Sequence, residues 1–271
     1  GNNKKFSSSG GIGLVSSRLT LEAPIIRDKM SFILSGRRTY GDLIAKALFP
    51  GDIISDDTNF FFYDLNAKLN YIINDNNRLF LSGYFGQDVF ELGDNIGTGW
   101  GNATATLRWN HLFSDRLFSN TSVIYSKYDY RFLFGQNTLR FRSGIEDISF
   151  KEDFTWCLNP QNTIKSGIHL IYHEFLPGEL KTGDTTNYER IRTVKQAVEG
   201  AIYLQNEHEI NPKLKMNYGI RLSFFSQMGP SWFYDYNDLN QIMDSTYFDS
   251  GEPAYPYPGF EPRLAVNYMF S

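Results

Sequence analysis

Along residues 59–72 the sequence NFFFYDLNAKLNYI alternates between apolar and polar side chains. Phe61, Tyr63, Leu65, Ala67, Leu69 and Tyr71 take one set of positions, and Asp64, Asn66, Lys68 and Asn70 take the other. Successive side chains of a strand point to opposite faces, so a period of two gives this segment an apolar face and a wet face. Residues 214–224 (LKMNYGIRLSF) repeat the pattern, with Leu214, Met216, Tyr218, Ile220, Leu222 and Phe224 opposed to Lys215, Asn217, Arg221 and Ser223. Strands of roughly ten residues with this dyad, recurring along a chain, predict a transmembrane β-barrel. A half-buried soluble sheet has the same period, but its strands average about 5–6 residues.

The period predicts strands at 17–23, 30–40, 59–72, 79–90, 100–112, 117–131, 139–157, 163–175, 197–210, 214–226 and 260–270, with a further one at 4–13. Ala103, Ala105, Leu107 and Trp109 oppose Asn102, Thr104, Thr106, Arg108 and Asn110; Ile164, Ile168, Leu170 and Tyr172 oppose Lys165, His169 and His173. Residues 79–90 and 117–131 carry aromatics on both faces, and the pattern does not orient them. Glu152 shares the face of Ile148, Phe150 and Phe154. A carboxylate there is destabilising at mid-bilayer, so it is expected near the interface.

Short turns at 24–29, 73–78, 113–116, 159–162 and 211–213 are rich in Asn, Asp and Pro. Asn and Asp hydrogen-bond their own backbone, and Pro pre-sets a turn dihedral. The other connections, at 41–58, 91–98, 132–137, 176–195 and 227–259, are expected to be loops, and 228–247 has room for a short helix. Short turns at one end and longer loops at the other is the wiring of outer-membrane barrels.

Composition narrows the choice. With 271 residues, 21% of them charged, and a mean hydropathy of −0.37, the chain has no run of about 18 apolar residues, which excludes a helical membrane protein. A barrel stays open, because half of each barrel strand faces a polar interior. Aromatics make up 16%, led by 23 Phe and 17 Tyr, a supply that suits interfacial girdles. A net charge of −4 without a Lys/Arg cluster gives no nucleic-acid footprint. Cys157 is the single cysteine, so there is no disulfide within the chain and no thiolate metal site. It is expected to fill a small apolar space at a strand end. The chain opens GNNKKF without an apolar signal segment, and a secretory signal is expected to lie upstream or to have been removed.

Three stretches resemble TonB-dependent outer-membrane receptors. In GGIGLVSSRLTLEAPIIRDKMSFILSGRRTY, residues 10–40, Pro24, Ile25, Ile26, Asp28 and Lys29 match the turn that closes an early barrel strand of the family, with Ala23 standing where the family has Gly. AIYLQNEHEINPKLKMNYGIR, residues 201–221, is similar to a family hairpin through Tyr203, Glu207, Leu214, Gly219 and Arg221. FEPRLAVNY, residues 260–268, matches the next strand through Glu261, Pro262 and Arg263. The resemblance implies a Gram-negative outer-membrane protein whose wide barrel encloses a plug and is embedded in outer-membrane lipid. It also implies uptake of a large scarce nutrient (siderophore, glycan, peptide or cofactor) driven by the TonB complex. On this reading residues 1–271 form roughly 11–12 strands of an antiparallel up-and-down barrel, and the plug and closing strands lie outside the chain. A complete small channel and a soluble carbohydrate-binding module are the alternatives. Tyr268 and Phe270 would suit the aromatic terminus of a finished barrel.

Candidate chemistry is sparse. His169 and His173 lie four apart on one strand, about 13 Å by strand rise, too far to share a metal. His111 and His208 have no partner by spacing, no nucleophile elbow is present, and no cofactor or metal motif is found, so no enzyme is expected. The span 227–259 is the best candidate site. Trp232, Phe233, Tyr234, Tyr236, Tyr247, Phe248, Tyr255 and Tyr257 stand there among Asp235, Asp238, Asp244, Asp249 and Glu252, without calcium-loop spacing. Such rings either stack on a ligand or pack on one another. Asp64, Lys68, Arg108, Lys165, Lys215, Arg221, Glu261 and Arg263 are expected to face the lumen, where they would meet the plug or trapped water.

Overall fold

The computed structural model of the chain describes residues 2–48, 58–93, 95–135, 139–183 and 188–270. In chain order it contains β1 (Ser7–Ile12), β2 (Ser16–Ile26), β3 (Met30–Thr39), α1 (Gly41–Leu48), β4 (Asn59–Asn74), β5 (Asn77–Leu92) and β6 (Ile96–Ser114). There follow β7 (Leu117–Phe134), β8 (Leu139–Asn159), β9 (Asn162–Gly183), β10 (Tyr188–Asn211) and β11 (Leu214–Met228). The last elements are β12 (Ser231–Tyr236), β13 (Ile242–Phe248) and β14 (Pro253–Tyr268). Twelve strands form one antiparallel sheet in the order β1 through β11 and then β14, while β12 and β13 make a separate two-stranded ribbon. From β1 to β11 each strand pairs with the next in sequence, the up-and-down arrangement, and β14 joins β11 after the ribbon.

The chain divides into two compact units. One comprises Gly1–Trp109, Ile124–Glu146 and Phe175–Val194; the other comprises Asn110–Val123, Asp147–Glu174 and Lys195–Ser271. In the first, register sorts the faces. Leu19, Gly36, Leu65 and Phe85 lie side by side across β2–β5, as do Leu21, Leu34, Ala67 and Gly83, and then Ala23, Phe32, Leu69 and Leu81. The alternate rungs carry Arg18, Arg37 and Asp64, then Thr20, Ser35 and Asn66. This register orients β5, which the pattern alone left open. Leu79, Leu81, Phe85 and Val89 join the apolar face, and Tyr84 joins the polar one. Tyr84 folds its ring over Gly86, where a Cβ would strike it.

In the second unit, Ile202, Leu222 and Phe260 form one apolar rung, and Leu204, Ile220 and Pro262 the next. Gly200 on this face leaves room for the Phe224 ring. On β8 the ion pair between Lys151 and Asp153, at 2.9 Å, fixes Glu152 on the opposite face, that of Phe150 and Phe154.

Almost nothing apolar is buried. Among the described residues the buried hydrophobic side chains are Ala197, Ala201 and Ala254, while Leu65, Leu107, Leu170, Leu204 and Ile220 are 42–53% exposed. That is the reverse of a water-soluble core, where such side chains are interior. It is what a sheet in contact with hydrocarbon requires.

At one end of the strands the turns are tight and share a device. Asn74, Asn159 and Asn211 each accept, through Oδ1, the backbone N–H two residues on, at 2.9–3.1 Å. Aromatic side chains gather near these turns: Trp109 Nε1 donates to Asn77 Oδ1 at 3.0 Å, His111 stands edge-on to Phe113 at 4.3 Å, and Phe113 stacks on Phe154 at 6.2 Å. Amphipathic rings favour such an interfacial depth.

The opposite end departs from expectation. Strands β4 to β11 contain 15–24 residues, well beyond the roughly 9–11 that cross a bilayer. The loop expected at 176–195 is largely strand, the ends of β9 and β10. Past the bilayer both faces of a strand are wet, so the period-two signal fades although the ladder continues. Of the loop expected at 91–98, β5 takes residues to Leu92 and β6 those from Ile96, with Gly93 at φ 56°. Of that expected at 132–137, β7 runs to Phe134 and Gly135 takes φ 66°, and residues 136–138 lie outside the described ones. The connection at 41–58 opens with α1, and its residues 49–57 lie outside the described ones. No helix forms in 228–247. The β-prone run SWFYDY pairs with IMDSTYF instead. Asn237 Oδ1 accepts the N–H groups of Leu239 and Gln241, both at 2.9 Å, and Asn240 turns at φ 57°.

Candidate functional site

Two surfaces bring chemistry-bearing side chains together. The first is the polar face of β8, β9, β10, β11 and β14 in the second unit. His173 Nδ1 on β9 lies 2.7 Å from Asp147 Oδ1 on β8, and its Nε2 lies 3.8 Å from Glu199 Oε2 on β10. One imidazole therefore stands between carboxylates of both neighbouring strands. Farther along, the Tyr203 hydroxyl on β10 donates to Asp153 Oδ1 on β8 at 2.6 Å, reaching across β9. Gly167 makes this possible, since a Cβ there would lie 2.7 Å from the Tyr203 ring and 2.5 Å from the Glu152 carbonyl oxygen.

The same face continues onto β14. Glu261 accepts from Arg263 at 2.8 Å and from the Ser223 hydroxyl at 2.9 Å, with Arg221 Nε 3.6 Å away. Lys165 pairs with Glu207 at 2.6 Å and Lys215 with Glu209 at 3.3 Å. Charges thus alternate in sign from strand to strand, which fixes register and holds long side chains against the wall. Lys151, His169, Tyr203, Arg221 and Arg263 border a recess of about 410 Å³. In the first unit, Asp64 on β4 is clamped by Arg37 on β3 at 2.7 Å, with the guanidinium 4.8 Å from the Phe62 ring centre.

Of the residues expected on this face, Asp64, Lys165, Lys215, Arg221, Glu261 and Arg263 enter these pairs. Lys68 lies in register between Ile33 and Ser82, and Arg108 shares the strand face of Asn110, which bonds Asn120. His169 and His173 stand apart in function, one at the recess and one between two acids. Sequence reasoning did not find Asp147, Asp153 and Glu199, and met Tyr203 only as part of the family hairpin. Their partners sit 26 to 50 residues away, a separation that no local pattern encodes.

The second surface is the β12–β13 ribbon, inserted between β11 and β14 at the end opposite the tight turns. Lys195 Nζ donates to Ser231 Oγ at 2.5 Å, tying its base to β10. Gly229 passes so near the Phe248 and Asp249 carbonyls that no Cβ would fit. The rings expected here divide between two fates. Phe233, Phe248 and Tyr255 pack edge-on around one another at 5.3–5.9 Å. Trp232, Tyr234, Tyr236 and Tyr247 occupy the other face and are exposed, as is Tyr257 on β14, with Trp232 and Tyr247 tilted together at 5.2 Å. Self-packing accounts for one face of the ribbon and leaves the other open.

No protein-family model and no curated protein matches this sequence. Solved structures do. The copper transporter OprC superimposes with a TM-score of 0.67 over 98% of this chain and 43% of its own, at 11% identity. The ferric-catecholate import receptor Fiu of E. coli K12 gives 0.63 over 100% and 49%, at 13% identity. The ferric preacinetobactin receptor BauA of Acinetobacter baumannii gives 0.63 over 96% and 44%, at 10% identity. The fold is that of a TonB-dependent receptor barrel. The chain spans less than half the length of these three receptors.

Proposed function

We propose that this chain is part of the barrel wall of an outer-membrane receptor that imports a large, scarce nutrient with energy from the TonB complex. On this reading the apolar face meets outer-membrane lipid. The polar face bounds a lumen closed by a plug carried elsewhere in the protein, and Asp64, Lys68, Arg108, Lys165, Lys215, Arg221, Glu261 and Arg263 face that plug. Trp232, Phe233, Tyr234, Tyr236, Tyr247, Tyr255 and Tyr257 belong to an exterior ligand surface. The wall itself is not catalytic.

The observation that carries the reading is the pairing of opposite faces on one long-stranded sheet. Exposed Leu, Ile and Phe take one face, and carboxylates and cations paired across strands take the other. A polar, paired face gives an internal plug a surface that binds by hydrogen bonds and can be released without exposing apolar area. The test is fractionation of the protein from its native host, with gel mobility compared before and after heating. Outer-membrane recovery with heat-modifiable mobility, and nutrient-limited growth that needs an intact TonB complex, are expected. Recovery in soluble fractions alone would sink the proposal.

A further inference from the structure

The exposed face of the ribbon points to a particular kind of ligand. Trp232, Tyr234 and Tyr236 occupy alternate positions of β12, so their rings recur about every 6.6 Å along the strand. Every second side chain of an extended peptide recurs at the same interval, whereas a compact chelate has no such repeat. The ribbon is also one-signed. From Leu222 to Pro262 the sequence contains no Lys, Arg or His, while Asp235, Asp238, Asp244, Asp249 and Glu252 are all exposed. None of these five carboxylates is ion-paired among the described residues.

Asp235 and Asp244 stand directly opposite each other across the two strands, on the face of Phe233 and Phe248 and behind the open rings. Like charges in that position destabilise a strand pair, and here no basic residue relieves them. On the wall below, by contrast, Glu207, Glu209 and Glu261 each have a cation within 3.3 Å. The open rings offer their negative faces to cations, and the uncompensated carboxylates give the surroundings the sign that draws cations in.

We propose that the face formed by Trp232, Tyr234, Tyr236 and Tyr247 is a docking track for an extended peptide bearing lysine or arginine side chains. The rings receive the cationic side chains at alternate positions, and Asp235 and Asp244 on the opposite face of this thin ribbon, with Asp238 at its tip, supply the field that attracts them. This deepens the receptor reading, on which it rests only in giving the ribbon an exterior position. An anionic ferric chelate would meet repulsion at the same surface.

The test uses the protein purified in detergent and three probes: a six-residue peptide alternating lysine and alanine, its glutamate counterpart, and maltohexaose as a neutral chain. The lysine peptide is expected to bind, with affinity falling as salt rises, and the other two to bind at least tenfold more weakly. Tyr234→Ala and Tyr236→Ala should each weaken it about fivefold, the scale of one exposed cation–π contact. Asp235→Asn combined with Asp244→Asn should weaken it about twofold through lost long-range attraction and flatten the salt dependence. Phe233 and Phe248 remain in these variants to hold the ribbon, and unchanged heat-modifiable mobility checks the barrel. Equal binding of the glutamate peptide, preferred binding of maltohexaose, or indifference to loss of the rings overturns the inference. Any of these results from a barrel that still fractionates with the outer membrane leaves the receptor reading intact.

Discussion

The wall formed by β10, β11 and β14 and the ribbon that rises from it are close in sequence and opposite in electrostatic design. On the wall, carboxylates are matched. Glu207 meets Lys165, Glu209 meets Lys215, and Glu261 meets both Arg221 and Arg263. On the ribbon five carboxylates have no counter-charge in the surrounding sequence, and four rings stand open. The difference teaches where interaction energy has been used. Wall charges are paired across strands and serve geometry, whereas the ribbon carboxylates have no ion pair among the described residues and four of its rings are exposed.

If that contrast holds, damage to the wall should appear as lost stability and damage to the ribbon as lost binding. The largest effect is expected from Gly167→Ala. The added Cβ would collide with the Tyr203 ring and with a neighbouring backbone oxygen, and should cost about 2 kcal/mol, read as a lower temperature for the heat-modifiable mobility shift. Next comes Tyr203→Phe. It removes the donor to Asp153 while leaving Lys151 beside that carboxylate, and about 1 kcal/mol is expected from the same measurement. Glu152→Leu should act in the opposite direction. It replaces a carboxylate on the face of Phe150 and Phe154 and should stabilise the barrel by about 1 kcal/mol; a destabilised variant would mean that this face is wet at that depth. Smallest is Tyr234→Ala, with an expected change in stability of no more than about 0.5 kcal/mol because the ring is exposed and outside the Phe233–Phe248–Tyr255 cluster. A large stability loss there would erase the distinction between the two regions.

Much of this architecture was legible in advance because it is local. Residues 59–72 and 214–224 read as strands with the observed facing, and the further strand expected at 4–13 is present as β1. What failed to read was also physical in origin. The extensions of β9 and β10 carry no apolar face to reveal them, and the aromatic run at 231–248 can satisfy its backbone as helix or ribbon until a partner strand is in place. Of the rings proposed as a ligand surface, the sequence could not separate Phe233, which is half-buried in a three-ring cluster, from Trp232 and Tyr234, which stand open.

The order of amino acids by itself determined that this protein is built of long amphipathic strands with tight Asn-rich turns at one end, because side-chain alternation and turn chemistry act over a few residues. Which carboxylate meets which cation, why Gly167 must lack a side chain, and which rings of the ribbon stay open were decided only in three dimensions. Those outcomes depend on the register between strands dozens of residues apart. Register is set by the sum of all cross-strand pairs rather than by any one segment.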